Sequence, residues 1–86
     1  MDVVINYTTS MDGTWGMGDI ALLGDESNAK LSLTQRVPYG SDVSVIVIPR
    51  TGYRFVQWSD GVTTAVRHDR KVISYLNVKA IFEKID

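Results

Sequence analysis

The run that most constrains the fold is residues 52–61, Gly-Tyr-Arg-Phe-Val-Gln-Trp-Ser-Asp-Gly. Tyr53 and Phe55 recur at the period of a β-strand, and Trp58 follows three residues later. They are three of only eight aromatic residues in the chain. Because a small chain has few large side chains, we expect this strand to carry the centre of the core, with these three residues as anchors.

The length of 86 residues predicts a single β-domain over residues 1–86, since domains typically contain about 100 to 150 residues. A chain near this size buries only about 60 to 65% of the surface that its unfolded form exposes. Its stability is therefore expected to be modest. The sequence has no cysteine, which excludes disulfide bonds and thiolate metal sites. Assembly into a larger object would be one way to gain stability.

Alternation of apolar and polar residues predicts strands along the rest of the chain. Leu76, Val78, Ala80 and Phe82 share one face of the last strand, which makes Phe82 a fourth core anchor. No window has helical periodicity for more than a turn or two. The predicted strands cover residues 3–8, 20–23, 31–37, 43–48, 53–58, 63–68 and 76–83. We therefore predict an all-β fold, a small antiparallel β-sandwich or β-grasp-like sheet of six or seven short strands with no long helix.

Turn residues predict how the later strands connect. Asp60-Gly61 is a strong hairpin signal, so residues 63–68 are expected to return beside the preceding strand as an outer strand. Residues 69–71, Asp-Arg-Lys, are expected to form an exposed turn. An ion pair between Arg67 and either Asp60 or Asp69 would then be exposed to solvent and contribute only about 0 to 1 kcal/mol.

Two groups of apolar residues have no obvious place in the core. Trp15 and Met17 lie in residues 9–19, where three glycines predict an irregular loop. Ile46 and Ile48 face away from the three alternating valines of the most β-prone strand. Each group either covers the core or contacts a partner, because exposed apolar patches and aromatic or Met side chains are typical of interfaces. We predict these four residues as interface residues, with a core lid as the alternative for the 11–19 loop.

The charge argues against nucleic-acid binding. The net charge of -1 lacks the basic excess that drives non-specific binding to nucleic acid. The one basic cluster, residues 67–71, is expected to be a solvated end of a hairpin. A small barrel that stacks single-stranded bases on exposed aromatic residues remains as a less favoured hypothesis. Its candidate residues are Tyr39, Tyr53, Arg54 and Tyr75.

No residue pattern indicates catalysis or a cofactor. The single histidine, His68, has the neighbours of an exposed turn, whereas a Ser-His-Asp triad needs a buried carboxylate and an adjacent nucleophile. Calcium could in principle gather Asp12, Asp19, Asp25 and Glu26, but these residues lack the spacing of a calcium loop. We therefore predict that the protein is not an enzyme and binds no cofactor or metal.

A series of short motifs follows in order over residues 37–82. They are Tyr39-Gly40, the valine strand at 43–47, Pro49, Gly52-Tyr53-Arg54-Phe55, Trp58-Ser59-Asp60-Gly61 and Val78-Lys79-Ala80-Ile81-Phe82. In this combination they resemble a divergent internalin-type B repeat, a small β-module that recurs on many bacterial surface proteins. The resemblance covers just over half of the chain. It implies a non-enzymatic grasp-like or sandwich module that serves adhesion, spacing or display.

The setting predicted for this module is a phage particle. The chain carries a single copy, has no signal-peptide pattern at its N-terminus, and has no run near the roughly 18 apolar residues of a membrane span. We therefore expect synthesis in the cytoplasm, no membrane insertion, and docking on a capsid or tail protein as a decoration or accessory subunit of a virion. Several alternatives stay open. The chain could form a homo-oligomer, bind a surface glycan or serve adhesion to a host surface. It could also lie on the bacterial cell surface as a fragment of a secreted protein.

Overall fold

A computed structural model describes residues 1–85 and confirms the all-β prediction. Over these residues, helical structure is confined to one 3-10 turn at Glu26–Asn28. The strands are β1 (Asp2–Thr9), β2 (Met11–Asp12), β3 (Trp15–Gly16), β4 (Gly18–Leu22), β5 (Ser32–Pro38), β6 (Ser41–Pro49), β7 (Tyr53–Trp58), β8 (Val66–Val72) and β9 (Leu76–Lys84). The seven longer strands overlap the seven predicted from the sequence, although β8 is displaced from the predicted 63–68, and β2 and β3 are additional.

The longer strands form an open β-sandwich. One sheet has four strands in the order β5-β1-β9-β7, and the other has three in the order β4-β6-β8. Most neighbouring strands are antiparallel, but β1 and β9 run parallel, with Ile5 opposite Leu76. The prediction of a purely antiparallel arrangement is wrong at this pair. Strand β1 lies between β5 and β9 in the sheet, and both of these strands are distant from it in sequence. No hairpin connection therefore sets the direction of β1 relative to either neighbour.

The Asp60-Gly61 turn does not make a hairpin. The chain does reverse there, since the Gly61 amide donates a hydrogen bond to the Trp58 carbonyl oxygen at 2.9 Å. However, β7 pairs with β9 and β8 pairs with β6, so the turn carries the chain from one sheet to the other. A turn signal fixes a local reversal, not the partner of the strand that follows. Residues 69–71, predicted as an exposed turn, lie within β8.

Inward-facing residues of the two sheets form one core. Residues 43, 45 and 47 of β6 and 78, 80 and 82 of β9 are all buried, as the alternation predicted. Strand β1 contributes to the same core from the centre of its sheet. The core residues are Val3, Ile5, Tyr7, Met17, Ile20, Val43, Val45, Val47, Trp58, Val72, Val78, Ala80 and Phe82.

Trp58 occupies the centre of this core. It is 0% exposed, and the Tyr7 and Phe55 rings each meet it edge-on with ring centroids 5.9 Å away. Its indole Nε1 donates a hydrogen bond to the Thr64 carbonyl oxygen at 3.0 Å, so the one polar atom of the side chain is satisfied. The structure also buries Phe82 and packs the half-buried Tyr53 and Phe55 against the core.

The strands place two sets of connections at opposite ends of the sandwich. At one end β1 continues into the β2–β3 hairpin, and we call residues 10–17 with Leu31 and Arg50 the hairpin end. At the other end the Gly40 amide donates a hydrogen bond to the Val72 carbonyl oxygen at 2.7 Å. We call residues 1–2, 36–42 and 70–75 the turn end. The molecule is elongated, with extents of 45 × 26 × 21 Å.

Trp58→Ala should lower the free energy of unfolding by about 3 to 5 kcal/mol, because it leaves a cavity where the aromatic side chains of the core meet. Trp15→Ala, the matched control, should change it by no more than about 0.5 kcal/mol, because Trp15 is a surface residue. Urea denaturation followed by circular dichroism measures both values. A loss for Trp15→Ala comparable to that for Trp58→Ala would show that the hairpin covers the core.

Candidate interaction surfaces

The most exposed large aromatic side chain lies on the short hairpin formed by β2 and β3. Trp15 is 74% exposed and faces solvent opposite Asp12 across the hairpin. Gly13 begins the two-residue loop with φ 63°, a backbone conformation that glycine adopts without strain. The expectation of an irregular loop is therefore wrong for residues 11–16. A glycine at the first position of a two-residue loop is itself a hairpin signal, hidden here by the glycines around it.

Hydrogen bonds attach this hairpin firmly to the sandwich. The Ser10 amide donates to the Ala80 carbonyl oxygen at 2.9 Å, and the Phe82 amide donates to the Ser10 hydroxyl at 3.1 Å. The Tyr53 hydroxyl donates to Oδ2 of Asp12 at 3.2 Å. Burial first, and then the Asp12 carboxylate, raises the pKa of Tyr53 above its ordinary value, which keeps this donor protonated. The hairpin thus presents Trp15 from a fixed position.

A close approach at Gly16 fixes the hairpin on its inner side. A Cβ atom on Gly16 would lie 2.6 Å from the Leu31 side chain and 2.9 Å from Nη1 of Arg50. The Arg50 guanidinium is held in turn by Asp19, with Nη2 and Oδ1 2.9 Å apart. A side chain at position 16 would therefore push Leu31 and Arg50 aside and move the hairpin.

Met17, predicted as an interface residue, is buried. It is 8% exposed and belongs to the core cluster, so the structure does not offer it to a partner. The reason is that the chain turns inward at the end of the hairpin, where the Arg50 amide donates to the Met17 carbonyl oxygen at 3.0 Å. Trp15 and Met17 therefore have different roles, although they are two residues apart.

Ile46 and Ile48 lie on the outer face of the three-stranded sheet and are half-buried. Ala21 of β4 and Val66 of β8 are the cross-strand neighbours of Ile46, and Asp19 is the neighbour of Ile48. Neighbouring strands thus cover part of the two isoleucines, and the rest is accessible. The structure places them as predicted on the face away from the core, but as a small patch, far less prominent than Trp15.

A second exposed apolar surface lies at the turn end. Tyr39 is 55% exposed, Ile73 51% and Tyr75 62%. The Tyr39-Gly40 turn is joined to the end of β8 through the Gly40–Val72 hydrogen bond, which brings the three side chains to one end of the molecule. From the sequence the tyrosines were expected only as base-stacking residues, and Ile73 was not predicted to be exposed. Ile73 follows Val72 and precedes Ser74 and Tyr75, so no local pattern marks it as exposed.

The charged residues predicted to be exposed form a network between the two sheets. Arg67 is 5% exposed. Its Nη1 and Nη2 donate to Oδ1 and Oδ2 of Asp60 at 2.9 and 2.7 Å, and its Nε donates to Oδ2 of Asp69 at 2.9 Å. The Tyr7 hydroxyl on the opposite sheet donates to the same Asp69 oxygen at 2.5 Å. The expectation of a solvated surface pair is wrong because residue 67 faces inward on β8.

The network also explains the protonation of its members. Burial lowers the pKa of Arg67, but the hydrogen bonds to Asp60 and Asp69 outweigh it and raise that pKa overall. Burial, followed by the hydrogen bond to Asp69, raises the pKa of Tyr7. Hydrogen bonds from Arg67 lower the pKa of Asp60 below its ordinary value. The guanidinium therefore stays charged, and its carbon lies 5.3 Å from the centroid of the Trp58 ring, within cation–π range.

Acidification should weaken the fold through Asp60. Because its folded-state pKa is lowered, its contribution to stability is complete above the unfolded pKa of about 3.9. That contribution to stability is lost as the pH falls through the lower pKa that Asp60 has in the folded protein. Asp60→Asn should therefore be less stable than the wild type at neutral pH and should lose less stability on acidification. The urea midpoints of both proteins, measured from neutral pH down through the pKa of Asp60, check this prediction. If the two midpoints fall in parallel with decreasing pH, the prediction is contradicted.

The residues considered for other chemistry are not brought together. His68 is exposed and its Nδ1 contacts the Ser44 hydroxyl at 2.7 Å, while the Asp69 carboxylate is held by Arg67 and Tyr7. Residues 1–85 contain no cluster of three metal-ligating side chains and no enclosed pocket. Tyr53 lies near the hairpin end and Tyr39 at the turn end, so they do not form one stacking platform. Within the same residues no helix has the length and apolar character needed to cross a membrane.

Comparison with known proteins gives one match. The family model for the divergent InlB B-repeat domain matches residues 23–86. No curated protein and no solved structure matches the chain. In the structure, the four strands β1 to β4 lie before the matched segment, yet β1 is a central strand of the four-stranded sheet. Residues 1–22 also supply Val3, Ile5, Tyr7, Met17 and Ile20 of the core.

Deletion of residues 1–22 should therefore leave the family-matched segment unfolded. The deletion separates β5 from β9 and removes the Tyr7 donor to Asp69. It also removes core side chains, and burial of each large apolar side chain contributes about 1.5 to 3 kcal/mol to stability. Far-UV circular dichroism and one-dimensional proton NMR of the full and shortened chains test this. A cooperative unfolding transition in the shortened chain would show that the matched segment folds without β1.

Proposed function

The chain belongs to the divergent InlB B-repeat domain family, and we propose that it docks through the Trp15 hairpin on the protein surface of a larger assembly. The family is a structural domain not known for enzymatic activity, so the chain is understood as a surface or interaction module. The setting we propose is a phage virion, in which a repeated capsid or tail protein offers many equivalent docking surfaces.

The observation that carries this proposal is the exposure of Trp15 on a firmly attached hairpin. Tryptophan is enriched among the few residues that dominate interface energetics, and burying such a side chain contributes about 1.5 to 3 kcal/mol before ordering costs. Those ordering costs are reduced here, because hydrogen bonds at Ser10 and Asp12 already hold the hairpin in place. A fixed, exposed aromatic side chain is suited to insertion into a partner.

The proposal favours a protein partner over a glycan because the surroundings of Trp15 are mixed in character. Leu31 and Met11 are exposed apolar neighbours at the same end, and the Arg50–Asp19 pair lies at the base of the hairpin. An apolar centre with a polar rim is the usual anatomy of a protein interface. Binding to a surface glycan would instead appear as saturable retention on immobilised polysaccharide.

Co-sedimentation tests the proposed docking. The tagged chain is incubated with particle fractions from a lysed producing culture, separated on a density gradient, and quantified against the major protein of each particle. We expect the wild type in the virion fraction at a fixed stoichiometry, and at least about a tenfold loss for Trp15→Ala, corresponding to about 1.4 kcal/mol.

The matched control is Val62→Ala, which truncates another exposed apolar residue on the 61–65 connection. It should sediment like the wild type. If Trp15→Ala and Val62→Ala bind equally well, the hairpin is not the docking surface. If neither the wild type nor the variants sediment with any particle, the virion setting is wrong.

A further inference from the structure

We propose that the free edge of β5 pairs with β5 of a second copy, so that two four-stranded sheets join into one continuous sheet across a two-fold axis. Strand β5 is the last strand of its sheet, and among the described residues it pairs only with β1. The contact does not use Trp15, so it goes beyond the proposed docking function and is tested separately from it.

Alternate backbone groups of β5 point away from β1. In an antiparallel pair every second residue exchanges hydrogen bonds with the neighbouring strand, and the residues between them direct their N–H and C=O groups to the other side. The Tyr39 amide donates to the Met1 carbonyl oxygen at 2.9 Å. The register of β5 on β1 then places residues 33, 35 and 37 in the bonded set and residues 32, 34, 36 and 38 in the outward set.

The other sheet edges are protected against such pairing, whereas β5 is not. Native proteins usually block an edge with a covering segment, a bulge or a lysine. Strand β4 is bridged by Lys30 at Ile20, and the ladder of β7 has a bulge between Phe55 and Gln57. Strand β8 also has an irregular ladder and carries Lys71 with φ 51°. The ladder of β5 on β1 is regular over seven residue pairs.

Two residues near the end of β5 limit the pairing without blocking it. Pro38 has no N–H, but it is the last residue of the strand and belongs to the outward set, so its carbonyl oxygen can still accept a hydrogen bond. Arg36 is the one charged residue in segment 31–39. Asp2 lies opposite Pro38 on β1 and is therefore diagonal to Arg36 on the same face, within reach of its long side chain. The Asp2 carboxylate thus offsets part of the charge of Arg36.

The sequence of β5 selects an antiparallel register centred on Gln35. Leu33 and Val37 lie on the inner face and pack against the core. A two-fold axis at Gln35 places Leu33 opposite Val37 of the second copy, so that apolar residues meet, and it brings the two Gln35 side chains together. A register centred on Thr34 would instead place Leu33 opposite Gln35. Cross-strand pairs of matching character favour the first register.

The Gln35 side chain occupies a group that the pairing would use. Its Nε2 donates to the outward carbonyl oxygen of Thr34 at 3.2 Å. In the proposed register Thr34 lies opposite Arg36 of the second copy, and the backbone amide of that arginine takes this carbonyl. The Gln35 amide is then released to its counterpart across the axis.

Apolar side chains just outside the strand continue the pattern. Leu31 is 37% exposed and Tyr39 is 55% exposed, and each lies four positions from Gln35. The same two-fold axis places Tyr39 of each copy opposite Leu31 of the other. Leu31 also borders the hairpin end, so the variants below leave it unchanged.

The contact closes at a dimer and is weak. Both copies use the same strand, so the pair leaves no free β5 edge for a third copy. The strand has seven residues, fewer than the roughly 20 to 30 residues that each partner contributes to a standard interface. The dimer should therefore form between micromolar and millimolar concentration, and become more effective where copies are held together on an assembly.

Hydrogen exchange of the full chain, followed by two-dimensional NMR, tests the pairing without any substitution. The amides of residues 33, 35 and 37 should be protected at every concentration because they bond to β1. The amides of Thr34 and Arg36 should exchange freely at about 10 µM and become at least about tenfold slower at about 1 mM. Sedimentation velocity over the same range should show a monomer–dimer equilibrium and nothing larger.

Charge substitution at Thr34 tests the register. Because Thr34 lies opposite Arg36 of the second copy, Thr34→Glu should lower the dissociation constant of the dimer about threefold or more, and Thr34→Lys should raise it by a similar factor. The matched controls are Asn77→Glu and Asn77→Lys, which place the same charges at an exposed residue of the inner strand β9. Both controls should dimerise like the wild type.

A cysteine at the axis gives a covalent test. Gln35→Cys introduces the one thiol of the chain, since the sequence has no cysteine. Residues at the axis form a non-hydrogen-bonded pair with Cα atoms about 4.5 Å apart, a distance that a disulfide spans. Oxidation should therefore give a covalent dimer of Gln35→Cys and none of Asn77→Cys, with circular dichroism confirming that both variants are folded.

Three results would overturn the proposal. They are unprotected Thr34 and Arg36 amides at millimolar concentration, the same effect of both charges at Thr34, and the failure of folded Gln35→Cys to cross-link. Protection that appears only when the virion fraction is added would also overturn it, because β5 would then receive a strand of another protein. Trp15→Ala should dimerise like the wild type. A chain that dimerises but binds no particle supports the pairing and rejects only the docking function.

Discussion

The position of the Arg67 guanidinium between the two sheets is the constraint on which the rest of the structure depends. It binds Asp60 through both terminal nitrogens and Asp69 through Nε, and Asp69 in turn accepts the Tyr7 hydroxyl from the other sheet. A buried charge is tolerated only when it is paired and hydrogen-bonded. Removing Arg67 leaves the Asp60 and Asp69 carboxylates without their cation, so the network favours one relative placement of the two sheets.

That placement determines which surfaces remain accessible. With the sheets fixed, Trp58 fills the space beside Arg67, and the large aromatic residues of β7 and β9 are used within the core. Gly18, just after the hairpin, lies close enough to Phe82 that a Cβ would approach the ring to 2.5 Å, so the core is tightly packed at this point. Trp15 remains in solvent on the β2–β3 hairpin, where it is 74% exposed. The exposed side chains at both ends are therefore available for the proposed interaction, and we expect them to contribute little to the stability of the core.

Sequence patterns predicted the elements better than their connections. Residue patterns indicated seven longer strands, although the one predicted at 63–68 lies at 66–72. Alternation identified the buried valines of β6, because burial on one face leaves a direct mark on the sequence. It could not show that β1 lies parallel to β9, since that pairing joins residues about seventy positions apart. Residue type alone suggested that Arg67 was exposed. The structure shows that it is buried, because it lies on the inward face of β8. Trp15 was recognised as a candidate, whereas Met17 was misassigned because the inward turn after the hairpin has no local signal.

The central claim is that Arg67 and Asp69 act as one interdependent unit between the sheets, and a double-mutant cycle tests this interdependence most directly. Free energies of unfolding are measured by urea denaturation at neutral pH for the wild type, Arg67→Met, Asp69→Leu and the double variant. We expect Arg67→Met to cost about 3 to 5 kcal/mol, because it leaves carboxylates unpaired. The double variant should cost less than the sum of the single changes by about 1.5 kcal/mol or more. Additivity within about 0.5 kcal/mol would show that the two residues act independently and would contradict the account.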